Sequence, residues 1–377
     1  MPATITHAYF AKDVFDILPS NIKNTIDCSR IKMFGQSMDA LMFYNLFSIM
    51  PGKDIRKFCN TFHSTKSQEY FVNLIKYIKD NELYNDMDVC SYIAGMICHY
   101  VLDSTIHPYI IYKTGVFDKN NKNTYIYNHV HEFMETFIDN DMIRRRLKTN
   151  PYEFQFTKFC FNTRKFSDYL DACINDSFKK TFGIKNMSRI YYKSLKQMKW
   201  DLLIFRRDVY GIKKFFYKLI DTFTSRRTFR FECISYHYPL NDRHNYLNND
   251  HKLWRNPTTY NMTSNESFID LYVKAIKAAK VIICASFDYI NGKDIDLRVD
   301  PKNMTTEEFN TITTTIQGTV VGSKLTVKGI MSAFGYGKAS NQIAIVKAKD
   351  IQAAALTDAD IVSAAKGALT IDAIVKD

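Results

Sequence analysis

The chain has 377 residues and a mass of 44.0 kDa, room for one large domain or two ordinary ones. With 46% hydrophobic and 24% charged residues, its composition excludes wholesale disorder and collagen-like repeats. Fifty-one Lys and Arg against 39 Asp and Glu leave a net charge of +12, a bias towards acidic partners. No run of 18 apolar residues is present, the nearest candidates being 92–102 and 281–287, so no transmembrane segment is expected. The first twenty residues lack a basic start followed by an apolar stretch, which leads us to expect a cytoplasmic protein. Eight scattered cysteines without a Cys-x-x-Cys pair point to free buried thiols rather than disulfides.

Composition is uneven along the chain. Beyond residue 300 the only aromatics are Phe309, Phe334 and Tyr336, and there is no His, Cys or Trp. Eight Lys against seven acidic residues leave that tail at +1, so the charge belongs to the first 300 residues. This shift predicts two units, 1–292 and 301–377, joined near Asn291-Gly292 and Asp300-Pro301.

The first unit reads as helical. Phe71, Leu74, Ile75 and Ile78 follow at helical spacing after a candidate cap, Ser67. Asp86 or Asp88 caps a helix through Cys90, Ile93, Ile97, Val101 and Leu102 that should end near Pro108. Another starts after Asn128 and carries Val130, Phe133, Phe137 and Ile138. Segments 166–179, 187–205, 211–223 and 264–285 repeat the pattern, and 228–235 is the one candidate strand before residue 290. In the tail, 318–328 and 342–346 read as strands and 349–356 and 358–369 as Ala-rich helices. The expected fold is an all-α multi-helix domain followed by a small α+β C-terminal domain.

Two imidazole–carboxylate pairs stand four residues apart, His99 with Asp103 and His131 with Glu135. On a helix each pair faces one point, and His107, four beyond Asp103, can join the first. Imidazole nitrogen with carboxylate oxygen is a ligand set suited to zinc. The competing reading is surface ion pairing, worth only about 0.3–0.5 kcal/mol per pair. The apolar neighbours of His99 argue against it, because a buried His–Asp pair needs a hydrogen-bonding partner or a metal. His237, His244 and His251, set among Asn, Asp and Tyr, read as solvated.

Taken in order, Thr6-His7-Ala8-Tyr9-Phe10, Gly35 to Asp39, His63, His99 to Asp103, His107-Pro108 and His131 to Glu135 resemble the bacterial zinc-dependent phospholipase C family. Leu247-Asn248, Trp254 to Pro257, Ser267-Phe268 and Asp270 to Tyr272 resemble the later part of its cytoplasmic members, so the resemblance covers about residues 1–290. It implies an all-α fold with up to three zinc ions between helices, held by His7, Asp39, His63, His99, Asp103, His107, His131 and Glu135. Secreted members use the amine and carbonyl of a mature N-terminal residue as a zinc ligand. With Met1 opening this chain that donor has no counterpart, so two zinc ions are expected rather than three tight ones. The stretch before Asp39, Gly35-Gln36-Ser37-Met38, also departs from the family pattern.

The resemblance further implies hydrolysis of phosphate esters or diesters, with Asp39 orienting the attacking water or taking its proton. Phospholipid at a membrane surface is the substrate the family suggests. Tyr109, Tyr112, Tyr125 and Tyr127 could receive a choline-like cation, although packing is the commoner role for such rings. Arg144-Arg145-Arg146, Arg206-Arg207 and Arg226-Arg227 support a rival, a zinc-dependent single-strand nuclease binding nucleic acid. A third reading is a non-catalytic interaction protein that kept the fold, which His99, Asp103 and His131 pointing apart would favour.

Overall fold

The structure, a computed structural model, describes residues 4–47, 52–118, 120–223, 230–237, 244–257, 263–292, 320–321 and 324–325. Helices run in the order α1 (Thr4–Ile17), α2 (Ser20–Lys23), α3 (Cys28–Phe34), α4 (Lys53–Thr61), α5 (Ser67–Asp80) and α6 (Met87–Thr114). They continue as α7 (Tyr125–Leu147), α8 (Phe156–Cys160), α9 (Asp168–Phe182), α10 (Met187–Arg206), α11 (Ile212–Phe223) and α12 (Phe268–Ile290). Strands are confined to two short antiparallel pairs among the described residues, Trp254–Arg255 with Thr263–Ser264, and Val320–Val321 with Lys324–Leu325. The second pair lies within the expected strand 318–328. The other expected tail elements lie outside the described residues, as does the 293–300 junction; α12 ends at Ile290, followed by Asn291 and by Gly292, left-handed at φ +71°.

The centre of the molecule is α6, which packs against α1, α3, α7, α9 and α12. It is the one described helix long and apolar enough to cross a membrane by composition, yet 83% of that apolar stretch is buried inside the protein. Asp86 caps it, its Oδ1 accepting from the Val89 amide at 2.8 Å. Pro108 does not end the helix as expected; six further residues continue it to Thr114. A proline inside a helix costs about 3 kcal/mol through its missing N–H and ring clash. Beyond it, fully buried Tyr109 and Ile110 pack into the core, and Tyr109 donates to the Tyr246 carbonyl at 2.7 Å, which offsets that cost.

Asp88, the other candidate cap, is used elsewhere. Wholly buried Arg30 on α3 grips it with two parallel bonds of 3.1 and 2.8 Å and lies against the Phe34 and Phe166 rings. Burial alone would raise the Asp88 pKa, but Arg164 and Arg30 hold it below the ordinary carboxylate range. Two turns of α6 later, Gly95 lets the two helices touch: a Cβ there would stand 2.6 Å from the Phe34 Cβ and 2.9 Å from the Gly35 nitrogen.

Other boundaries follow local chemistry. Ser167 caps α9, and Ser267 with Asp270 forms a reciprocal capping box for α12. α7 begins at Tyr125, four residues ahead of the expected start after Asn128. The expected strand 228–235 is corrected: Phe231–Ile234 is a single 3₁₀ turn, held where Asp221 accepts the Phe231 and Glu232 amides at 3.0 and 2.7 Å. All eight cysteines are free, six of them buried.

Candidate metal centre

α1, α6 and α7 converge with the connection from α3 to α5, and the sequence's eight metal-ligand candidates meet there. His7 comes from the second turn of α1, whose first turn is tied to α7. The Asp139 carboxylate accepts the Ile5 and Thr6 amides at 3.2 and 2.8 Å and is itself neutralised by buried Arg206 at 2.9 Å. Asp39 lies in a 3₁₀ turn, Ser37–Phe43, packed on α10. His63 stands in a π-helical turn, Phe62–Lys66, between α4 and α5. Such a turn inserts an extra residue and re-aims the side chains around it. His99, Asp103 and His107 stack at successive fourth positions of α6, and His131 and Glu135 do the same on α7.

Every imidazole atom that meets a carboxylate in this cluster is an Nε2. His7 is 3.1 Å from Asp103 Oδ1; His99 is 3.1 Å and His63 3.6 Å from Asp103 Oδ2. Asp39 approaches His63 at 3.5 Å and His99 at 3.9 Å. His131 and His107 share Glu135 Oε1 at 3.0 and 3.5 Å, and His107 reaches Asp103 Oδ1 at 4.0 Å, bridging the two ends. Three groups, His7–His99–Asp103, Asp39–Cys59–His63 and His107–His131–Glu135, each bring their donor atoms within 4.8 Å of one another.

Tautomers reveal what the cluster lacks. His99 Nδ1 faces the Gly35 carbonyl at 3.0 Å, and His63 Nδ1 faces the Cys59 carbonyl at 2.8 Å. Carbonyls only accept, so both Nδ1 atoms carry hydrogen, and Nε2 is the nitrogen that each ring has left to offer a lone pair. Those two Nε2 atoms stand 3.1 Å apart, beside the oxygens of Asp39 and Asp103. Lone pairs and carboxylates so close repel unless a proton or a cation lies among them. Tetrahedral zinc at ~2.0–2.1 Å from its ligands sets neighbouring donors roughly 3.3 Å apart, which these spacings match. The residues therefore fit zinc.

Burial grades from floor to rim. His7 and His99 are buried and stack at 4.4 Å between ring centroids, while the side chains of His63, His107 and His131 are 28%, 27% and 23% exposed. Burial would raise the Asp103 pKa, but His99, His107 and His7 bring it well below the ordinary value; His131 and His107 do the same to Glu135 against the same opposition. For His107 burial acts downward, and Asp103 with Glu135 overcomes it, lifting the pKa to about 9.

Cys59 is the residue that sequence reasoning missed. Its thiol donates to Asp39 Oδ1 at 3.4 Å and lies 3.7 Å from His63 Nδ1; its place four residues before His63 on a helix was the available signal. Tyr109 is buried packing, and Tyr112 leans on Trp254. His237 is half-buried and stacked on Tyr152 at 4.1 Å, so it is not the solvated residue expected.

An all-helical scaffold with a graded cluster of imidazoles and carboxylates between its helices defines the class: a helical protein carrying a candidate centre for divalent metal. Residues 6–188, a segment that contains all eight residues, match the family model of zinc dependent phospholipase C. No curated protein and no solved structure matches the chain.

Proposed function

We propose that the chain is a zinc-dependent hydrolase of phosphate esters or diesters, of the phospholipase C type, with phospholipid head groups as its substrate class. The observation that carries this reading is the meeting of imidazole lone pairs and carboxylates across the 3.1 Å gap between His63 and His99. His7, Asp39, His63, His99, Asp103, His107, His131 and Glu135 would hold two zinc ions, or up to three. Bound zinc supplies a Lewis acid for the phosphoryl oxygen and offsets the charge that builds on the departing one.

The protein's own groups do the rest. Asp39 orients the attacking water or takes its proton: Oδ1 accepts the Cys59 thiol, while buried Oδ2 makes no hydrogen bond to any described residue. The half-exposed rim of His63, His107 and His131 admits substrate. Stacked His7 and His99 close the floor to water. The nuclease alternative loses support from its charge clusters, because Arg146 is spent on buried Asp13 and Arg206 on Asp139. Arg226-Arg227 lies outside the described residues.

Two measurements on the full chain test the proposal. Elemental analysis should find about two zinc ions per chain, and the loaded protein should hydrolyse a chromogenic phosphocholine ester in preference to single-stranded DNA. A protein that takes up no zinc sinks the centre; a zinc-loaded protein inert towards both substrates sinks the hydrolase.

A further inference from the structure

The last turn of α10 and all of α11 expose an apolar face that nothing among the described residues covers. Ile212, Phe215, Phe216, Leu219 and Phe223 are all exposed, Phe223 by 81% and Phe215 by 67%. At 100° per residue these five positions fall on one side of the helix. Trp200, Ile204 and Tyr210, the last 86% exposed, continue the patch.

α11 is amphipathic in the reverse sense to a core helix, with its polar side facing the protein. Lys213 Nζ donates to the Ile204 and Arg207 carbonyls, the latter at 2.8 Å, and the Lys214 amide donates to Asp208 Oδ2 at 2.8 Å. Tyr217 donates to the Phe205 carbonyl at 2.7 Å, and buried Asp221 holds the Phe231 and Glu232 amides. Polar bonds thus anchor the helix while its apolar residues point out. Solvent-facing Phe, Ile and Leu in such density mark an interaction surface.

Charge selects the occupant. Exposed Arg189, Lys193, Lys196 and Arg207 run along the outer side of α10, and exposed Lys218 flanks the apolar face of α11. Of the nearby acids, Asp208 and Asp221 are buried and already bonded, while Asp201, beside Trp200, is half-buried. Cations beside a face of Phe, Ile and Leu, with Trp and Tyr at its margin, match an anionic bilayer: lysines and arginines meet phosphate, and apolar prongs enter the acyl boundary. A second copy docked symmetrically through this face would bring like charges together. We propose that α11 and the end of α10 form a docking surface for anionic lipid membrane. The proposal goes beyond the hydrolytic reading and does not depend on it.

The test uses the full chain and vesicles of phosphatidylcholine with or without about 30% phosphatidylserine, in chelator so that no hydrolysis occurs. The protein should sediment with the anionic vesicles, less so as salt rises. Tryptophan emission should shift to the blue; with Trp254 only 3% exposed, that change reports Trp200. Phe215→Ser combined with Phe223→Ser should lower the vesicle partition coefficient on the order of tenfold or more, with circular dichroism unchanged. Lys218→Glu with Arg207→Glu should lower binding to anionic vesicles alone. Wild-type protein left in the supernatant with anionic vesicles overturns the proposal, as do variants that bind like wild type. Loss of a dimer in the Phe variant, without vesicle binding by the parent, would reassign the face to contact between copies and also overturn it. Failure here leaves zinc content and hydrolysis of a water-soluble ester untouched, so the two readings fail separately.

Discussion

The Nε2 atoms of His63 and His99 face each other at 3.1 Å, each ring having committed its Nδ1 hydrogen to a backbone carbonyl. One ring comes from a π-helical turn and the other from the central helix, so two distant parts of the chain share one unmet need for a cation. Replacing His99 removes both its lone pair and a ring stacked on His7. His99→Ala should take at least one zinc from the chain, and His99→Gln, which keeps polarity, should still lower affinity by more than about tenfold. Elemental analysis and competition with a chromogenic chelator would read both, and full zinc content in His99→Ala would contradict the assignment.

Proton and metal compete at His107. Its pKa in the metal-free protein is raised to about 9 by Asp103 and Glu135 against the opposing effect of burial. A folded value above the unfolded value of about 6.5 adds stability that is fully present below pH ~6.5 and lost as pH rises through 9. Zinc requires the neutral ring, so binding at pH 7 should release a proton and strengthen towards pH 9. Calorimetry in buffers of different ionisation enthalpy would count that proton. Thermal melts should show the metal-free protein weakening between pH 6.5 and 9, and a melting temperature flat across that window would refute the assignment.

Gly95 brings α6 within contact of α3 one turn before His99, whose Nδ1 reaches Gly35, the residue after Phe34. The methyl group of Gly95→Ala would meet the Phe34 Cβ at 2.6 Å and backbone at 2.8–2.9 Å, and backbone cannot yield as a side-chain tip can. We expect a loss of about 1–3 kcal/mol by denaturant titration, together with weaker zinc binding. Unchanged values for both would mean that the helices do not touch there.

Asp88 tests the hidden charge. Asp88→Asn leaves Arg30 buried with its partner removed, a change worth roughly 3–5 kcal/mol. In the parent protein the folded Asp88 pKa is depressed, so its contribution is present above the unfolded value near 4 and disappears as pH falls through the folded one. Acid titration of stability should therefore be shallower in the variant, and parallel curves would speak against the pair.

Local rules carried far in this chain. The helical spacing of Phe71 to Ile78 and the i,i+4 pairs on α6 and α7 were legible because a helix maps short sequence distances onto one face. Capping of α6 was narrowed only to two candidates, Asp86 and Asp88, because either carboxylate has the chemistry and the presence of Arg30, 58 residues away, decides. Pro108 misled for a related reason: its local cost is real, but buried Tyr109 and Ile110 outweigh it, and that burial comes from other segments.

By itself the sequence determined the helical class, the pairing of His99 with Asp103 and of His131 with Glu135, and the confinement of basic charge to the first 300 residues. Only the tertiary structure decided that Cys59 adjoins Asp39, that Arg146 and Arg206 are internal ions, and that α11 turns its apolar side outward. The physical reason is that periodicity tells which residues share a helix face, whereas whether that face meets solvent, a carboxylate or another helix depends on partners far away along the chain.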